Sequence, residues 1–214
     1  MKYGVKKRAS HAKNVEVWRE LSHQSQFSPE NEYWTLADPD SVEYESMHSL
    51  GVLKSNRQYH VVNDDESKIE DLKKKYPEVP SINFHLGDWC HVVSSNKPCV
   101  GGGIVYIDTM EEPDHRRMVA STMLASTMNV CGAGTLICMN LCYTRARCRP
   151  TPLSLEAFFH NTGSLLNSDQ LDSWLQVEDG LGCFGFRPPK TRQTQMLTLY
   201  FWREPNRVLS SLQD

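Results

Sequence analysis

Hydrophobic positions along this 214-residue chain change their period several times, and each change marks an element. Near the N-terminus Val15, Trp18 and Leu21 recur at helical spacing, and Ser10 or Asn14 can cap the start, which predicts an amphipathic helix from Ser10 to about His23. The short runs Tyr33–Ala37, Gln58–Asn63 and Ser81–Leu86 read as strands, the first closed by the turn-forming Asp38-Pro39-Asp40. Gly103–Asp108 and Gly134–Cys142 are continuous apolar runs, as expected of parallel strands buried on both faces. Helical patterns separate the strands: a short one over Ser46–Leu53, one over Ser67–Tyr76, and one over His115–Asn129 with Met118, Leu124 and Met128 as core candidates. Asp64-Asp65-Glu66 and Lys73-Lys74-Lys75 bracket the second of these with charges that complement a helix dipole. Gly87-Asp88-Trp89 reads as the break that ends the third strand, and a loop through Asn96, Pro98 and three glycines follows.

Toward the C-terminus, helical pieces near Leu155–His160 and Asp169–Leu175 give way to two strand-like runs, Leu175–Phe186 and Gln195–Trp202. The segment 187–193 between them is too short for a parallel crossover, so the two runs should pair as an antiparallel hairpin. Five strands alternating with helices predict an α/β domain of three layers, a mostly parallel sheet with helices on both faces and the hairpin at one side. The chain divides into a basic segment and amphipathic helix over 1–32 that packs on the domain, the α/β domain over 33–205, and a tail over 206–214.

Composition narrows the function. With 39% hydrophobic and 23% charged residues the chain is globular rather than disordered, and a net charge of -3 gives no overall basic field for nucleic acid, so such binding has to come from local patches. No apolar stretch approaches the roughly 20 residues of a membrane span, and Met1–Arg8 is not followed by the apolar core of a signal peptide. Cys131, Cys138, Cys142 and Cys183 lie inside apolar runs, and the total of seven cysteines is odd, which suits reduced thiols and a cytoplasmic location. Neither Cys138, Cys142 and Cys148 nor His85, Cys90 and His91 has the paired spacing of structural zinc, so no metal is expected. A Gly-x-Ser-x-Gly elbow is missing, and Gly101-Gly102-Gly103 precedes a strand instead of opening a helix, which excludes a serine hydrolase of that type and a phosphate-binding loop.

Ligands of open α/β sheets bind beyond the carboxyl ends of the strands. That rim carries Asn63 and Asp64 after the second strand, Gly87-Asp88-Trp89 after the third, and Asp108-Thr109-Met110-Glu111-Glu112-Pro113 after the fourth. With the order of elements over 33–203, these residues resemble class I (Rossmann-like) S-adenosylmethionine-dependent methyltransferases. The resemblance implies a seven-stranded sheet of order 3-2-1-4-5-7-6 with strand 7 antiparallel, S-adenosylmethionine as cofactor, and methyl transfer as the activity. It assigns Asp38, Asn63, Asp64, Asp88 and Trp89 to the cofactor: Asn63 or Asp64 to its ribose hydroxyls, Asp88 to the adenine amine and Trp89 to stacking. Asp108 and Glu111 become the catalytic base or orienting acceptor. Acids after strands also cap helices and form turns, so the combination of Asp64, Asp88 and Asp108 carries more than any one of them.

The sequence departs from the family after strand 1, where no glycine occurs before Gly51. It also lacks the Asn/Asp-Pro-Pro-aromatic motif of amino-group methyltransferases and the strand 5 lysine of the ribose 2'-O type. Arg145, Arg147 and Arg149 after strand 5, with Arg187, Lys190 and Arg192 after strand 6, would form a cationic lip suited to a phosphate-bearing substrate, and nucleic acid is the first candidate. The missing glycine turn motivates the alternative, a catalytically inactive methyltransferase-like module that binds nucleic acid or a protein partner.

Overall fold

Successive strand residues point to opposite faces of a sheet, so a strand that is apolar throughout needs cover on both sides. The computed structural model describes residues 3–24, 32–37, 43–52, 59–76, 82–109, 118–143, 152–167, 173–176 and 195–205. Its elements are α1 (Tyr3–Gln24), β1 (Glu32–Leu36), α2 (Glu43–Ser49), β2 (Tyr59–Asn63), α3 (Glu66–Lys75), β3 (Ile82–Leu86), α4 (Trp89–Asn96), β4 (Gly103–Asp108), α5 (Val119–Val130), β5 (Thr135–Tyr143), α6 (Pro152–Ser164), β6 (Trp174–Gln176) and β7 (Gln195–Arg203). The seven strands form one sheet in the order β3-β2-β1-β4-β5-β7-β6, as the resemblance implies. β1 to β5 run parallel, and β7 is antiparallel to both β5 and β6.

Each face has its own core. On one, Val15, Val17 and Trp18 of α1, Met47 of α2 and Leu72 of α3 cover Tyr33, Tyr59, Val61, Ile104, Tyr106, Cys138 and Tyr200. On the other, Trp89, Val92 and Val93 of α4, Met123, Leu124 and Met128 of α5 and Phe158 of α6 cover Trp34, Val62, Val105, Ile107, Ile137, Met139 and Phe201. The result is a three-layer sandwich with β1 and β4 at its centre. Gly103 allows those two strands to meet, because a Cβ there would lie 2.3 Å from the Glu32 carbonyl oxygen.

Several elements differ from the pattern-based expectation. α1 starts at Tyr3 rather than Ser10, through a basic stretch without apolar periodicity, and α2 starts three residues earlier than expected. α4 occupies a stretch that reads as a break and loop. It is capped by Asp88, whose side chain accepts from the His91 N–H, and ends where Lys97 turns left-handed at φ 49°. Trp174 and Leu175 belong to β6, not to the end of a helix, because they pair with Arg203 and Trp202 of β7. The remainder of the expected Leu175–Phe186 strand and the connection after it, from 177 to 194, lie outside the described residues.

Two buried polar groups constrain the packing. Glu43, the first residue of α2, is fully buried, and its Oε1 accepts hydrogen bonds from the Tyr33 hydroxyl at 2.7 Å and the Thr35 hydroxyl at 2.8 Å. Burial, and after it the Glu43 charge, holds the Tyr33 and Tyr59 phenols well above the usual range. On the opposite face the Trp34 ring stacks on His60, with centroids 3.9 Å apart and planes at 9°, and His60 Nδ1 lies 2.9 Å from His85 Nε2. One imidazole therefore donates to the other. Burial, and then the neighbouring His85, lowers His60 to about 3, and burial lowers His85 as well.

Replacing Glu43 by Ala leaves the buried Tyr33 hydroxyl without its acceptor and the Thr35 hydroxyl with only the Leu36 carbonyl at 3.3 Å, and should destabilise the fold by about 1–3 kcal/mol, read from urea midpoints, whereas Glu43→Gln keeps an acceptor and loses less. An unchanged midpoint in Glu43→Ala would contradict this role. The histidines set a pH dependence. The folded state holds His60 neutral down to about pH 3, while an unfolded histidine titrates near 6.5, so the unfolded chain binds more protons between these values. Stability from this group is complete above about pH 6.5 and falls with acidification at up to about 1.4 kcal/mol per pH unit. Urea midpoints should decline between pH 6.5 and 5, before carboxylates titrate, and His60→Phe should flatten that decline.

Candidate functional site

The chain runs from β1 outward to β2 and β3, then returns to place β4 on the other side of β1. α2, the helix after β1, and α5, the helix after β4, pack on opposite faces, so β1 and β4 mark the switch point beyond whose carboxyl ends the ligand crevice of such sheets usually lies. Leu36 and Ala37, Asn63, Leu86 and Gly87, and Asp108 and Thr109 stand at the ends of β1, β2, β3 and β4.

Asn63 ties this rim together. Its Nδ2 donates to the Ala37 carbonyl at 3.0 Å, its Oδ1 accepts from the Asp65 N–H at 2.9 Å, and its carbonyl accepts from the Gly87 N–H at 3.0 Å. Three strand ends are thereby fixed to one another. Asp64, next in the chain, is exposed. Asp65 caps α3: the Ser67 hydroxyl first, and also the Ser67 N–H, hold its carboxyl below the usual range. Asp88 is exposed and caps α4 at 3.1 Å from the His91 N–H. Trp89 is only 3% exposed and donates from Nε1 to the Thr127 hydroxyl at 3.0 Å, which places the indole in the core between the sheet and α5 rather than on the rim.

Asp108 is half-buried at the end of β4 and belongs to a polar row crossing three strands. Asp108 pairs in register with Asn140 of β5, and Asn140 pairs with Thr198 of β7. Asn140 Nδ2 donates to Asp108 Oδ1 at 3.1 Å and to the Tyr106 hydroxyl oxygen at 2.6 Å, while its Oδ1 accepts from the Thr198 hydroxyl at 2.6 Å. α1 closes over the same face, with His11 edge-on to Tyr106 at 5.4 Å and Asn14 Oδ1 accepting from the Tyr200 hydroxyl at 2.9 Å. Burial, then Asp108 and Glu43, push the Tyr106 phenol well above the usual range.

Of the residues expected at a site from the sequence, Asn63, Asp64, Asp88 and Asp108 stand at the carboxyl rim, and Trp89 lies beneath it. Asp38, Glu111, Arg145, Arg147, Arg149, Arg187, Lys190 and Arg192 lie outside the described residues. Sequence reasoning missed Glu43, Asn140 and Thr198. Asn140 did leave a signal, since a polar side chain inside an apolar strand covered on both faces has to find partners. Among the described residues no group of three or more His, Cys, Asp or Glu is placed to hold a metal ion. Burial pushes the Cys99, Cys131 and Cys138 thiols up, so they are protonated and unsuited to nucleophilic work.

The position of Trp89 gives a direct test. Trp89→Ala should destabilise the fold by about 3–5 kcal/mol, as for other buried aromatic truncations, and the wild-type indole should resist acrylamide quenching. A marginal stability change together with full quenching would place the ring on the rim instead.

No family model matches the chain, and no curated protein sequence matches it. Solved structures do. An rRNA methylase from Streptococcus thermophilus aligns with a TM-score of 0.53 at 8% identity, covering 95% of this chain and 98% of that one. TYW2 of M. jannaschii, solved in complex with AdoMet, gives 0.53 at 9% identity over 89% of this chain and 76% of that one. Fibrillarin from Aeropyrum pernix, solved with natively bound S-adenosyl-L-methionine, gives 0.50 at 12% identity over 81% and 67%. At such identities the likeness speaks for the backbone, and it agrees with the strand order: the chain has the Rossmann-like fold of the class I S-adenosylmethionine-dependent methyltransferases.

Proposed function

We propose that this protein is an S-adenosylmethionine-dependent methyltransferase. The observation that carries the reading is the strand order, which sets Asp64, Asp88 and Asp108 at the carboxyl ends of β2, β3 and β4, on either side of β1. Their chemistry suits the cofactor. Asp64 offers an exposed carboxylate that can accept both hydroxyls of a ribose, and Asp88, beside Gly87, offers an acceptor to an exocyclic amine. S-adenosylmethionine supplies an electrophilic methyl group on a sulfonium. The chain has to align the nucleophile with that methyl, and in this reading Asp108, which accepts from Asn140, takes a hydrogen bond or proton from the nucleophile. Glu111, three residues on, is the second candidate for that role.

Nucleic acid is the acceptor we favour. Support comes from Arg145, Arg147 and Arg149 and from Arg187, Lys190 and Arg192 in the connections after strands 5 and 6, and from a similar structure that is itself an rRNA methylase. A reduced, cytoplasmic setting agrees with the free thiols of Cys90, Cys99, Cys131 and Cys138. One observation favours the alternative of an inactive module. Asn63, at the position where the family binds ribose, has both ends of its amide engaged within the protein, by Ala37 and Asp65.

Calorimetry with S-adenosylmethionine and S-adenosylhomocysteine separates the two readings. The enzyme reading expects binding by the wild type and a loss of about tenfold, or about 1.4 kcal/mol, in Asp64→Ala. Absence of binding at millimolar ligand overturns it. A salt-sensitive RNA shift that is abolished by replacing Arg145, Arg147 and Arg149, without cofactor binding, supports the inactive module.

A further inference from the structure

The row Asp108, Asn140, Thr198 is unusual in its surroundings. β5 is covered on both faces, and Leu136, Ile137, Cys138, Met139 and Leu141 around Asn140 are fully buried and apolar. Asn140 is itself 6% exposed and Thr198 3% exposed, so an amide and a hydroxyl have been taken out of water in the middle of the sheet. An arrangement of this kind persists when every member is partnered, and here each is. The Thr198 hydroxyl donates to Asn140 Oδ1, which fixes the amide so that its two N–H bonds face β4, one toward the Tyr106 hydroxyl oxygen and one toward Asp108 Oδ1. A turned amide would set Oδ1 against the Asp108 carboxylate, an acceptor against an acceptor, so Asp108 and the Thr198 hydroxyl together define its orientation. Register alone places the three residues abreast, and side-chain chemistry makes the row directional, from β7 to the carboxyl end of β4.

We propose that Asn140 is a positioning residue: its amide, oriented by Thr198, holds the Asp108 carboxylate at the rim of the crevice and through it sets a preference for the cationic methyl donor over its neutral product. This rests on the methyltransferase reading. A carboxylate oriented by an amide donor presents its acceptor oxygens in a fixed direction, and a fixed negative charge at the rim attracts a sulfonium more strongly than a thioether. Losing the Asn140 contact leaves the carboxylate less firmly oriented, and a charge that is less fixed discriminates less between the two ligands.

The experiment pairs a coupling measurement with a ligand measurement on the full chain. Thr198→Val removes the hydroxyl at nearly constant volume, and Asp108→Asn removes the carboxylate charge. In a double-mutant cycle on urea unfolding, the effects of these two changes on the unfolding equilibrium should fail to multiply by about fivefold, although their side chains are not in direct contact. In calorimetry, Asn140→Ala and Thr198→Val should each lower the ratio of S-adenosylmethionine to S-adenosylhomocysteine affinity by about fivefold, chiefly by weakening the cationic ligand, while Asn140→Ser, which keeps a donor, restores part of it. In the Asp108→Asn background Thr198→Val should leave the ratio unchanged. Multiplicative unfolding effects, or equal weakening of both ligands, overturn the proposal. If the wild type binds neither ligand, the methyltransferase reading fails, and the ligand preference proposed for Asn140 is overturned with it. The unfolding cycle then still reports whether Thr198 holds Asp108 through Asn140. Should Asn140→Ala not fold, Thr198→Val decides alone.

Discussion

The central strand dictates much of this structure. β1 is paired on both sides and covered on both faces, yet it carries the hydroxyls of Tyr33 and Thr35, which have no route to water. Both donate to one carboxylate oxygen of Glu43, and in doing so they fix where α2 begins. A carboxyl group buried this deeply is tolerated only with such donors, so the start of α2 and the middle of β1 are specified together. The segment between them, 38–42, lacks glycine, and of the residues that flank it Glu43 is held by this contact and Ala37 by the hydrogen bond from Asn63 to its carbonyl.

From that anchor the rim is built strand by strand. Asn63 links the end of β1 to the turn before α3 and to Gly87 after β3, and Asn140 links Asp108 on β4 to Thr198 on β7. Two asparagines thus make sideways side-chain connections, Asn63 at the end of β2 and Asn140 within β5 beside the end of β4. The short amide side chain suits the task, because it donates and accepts at once. The remaining candidate residues, among them Asp38 and Glu111, fall in sequence in the segments that follow the strands, and binding residues are commonly carried on such segments above a fixed scaffold.

The architecture was largely legible in the sequence because it follows from periodicity. The five parallel strands, the helices between most of them and the antiparallel end follow from runs such as Gly103–Asp108 and from the short terminal connection. Where the reading erred, local signals competed. Gly87-Asp88 looks like a strand break, and it is one, but Asp88 also caps α4, whose Trp89, Val92, Val93 and Asn96 fall at helical spacing in a segment rich in β-branched residues. The site was less legible. Asp64, Asp88 and Asp108 could be placed at strand ends, whereas Glu43 looks like any acid in a polar stretch. Its role depends on lying beneath β1, a tertiary fact that no local pattern encodes. Trp89 shows the converse: its neighbours suggested a stacking surface, and its contact with Thr127 puts it in the core.

The central claim, that the crevice at the β1–β4 switch point is a cofactor site, is tested most directly by following backbone amide resonances while S-adenosylhomocysteine is added. The account predicts saturable shifts concentrated at Ala37, Asp64, Gly87, Asp88 and Thr109, with the amides of β6 and of the amino ends of the strands unmoved. Shifts centred elsewhere on the molecule, or none at millimolar ligand, would contradict it.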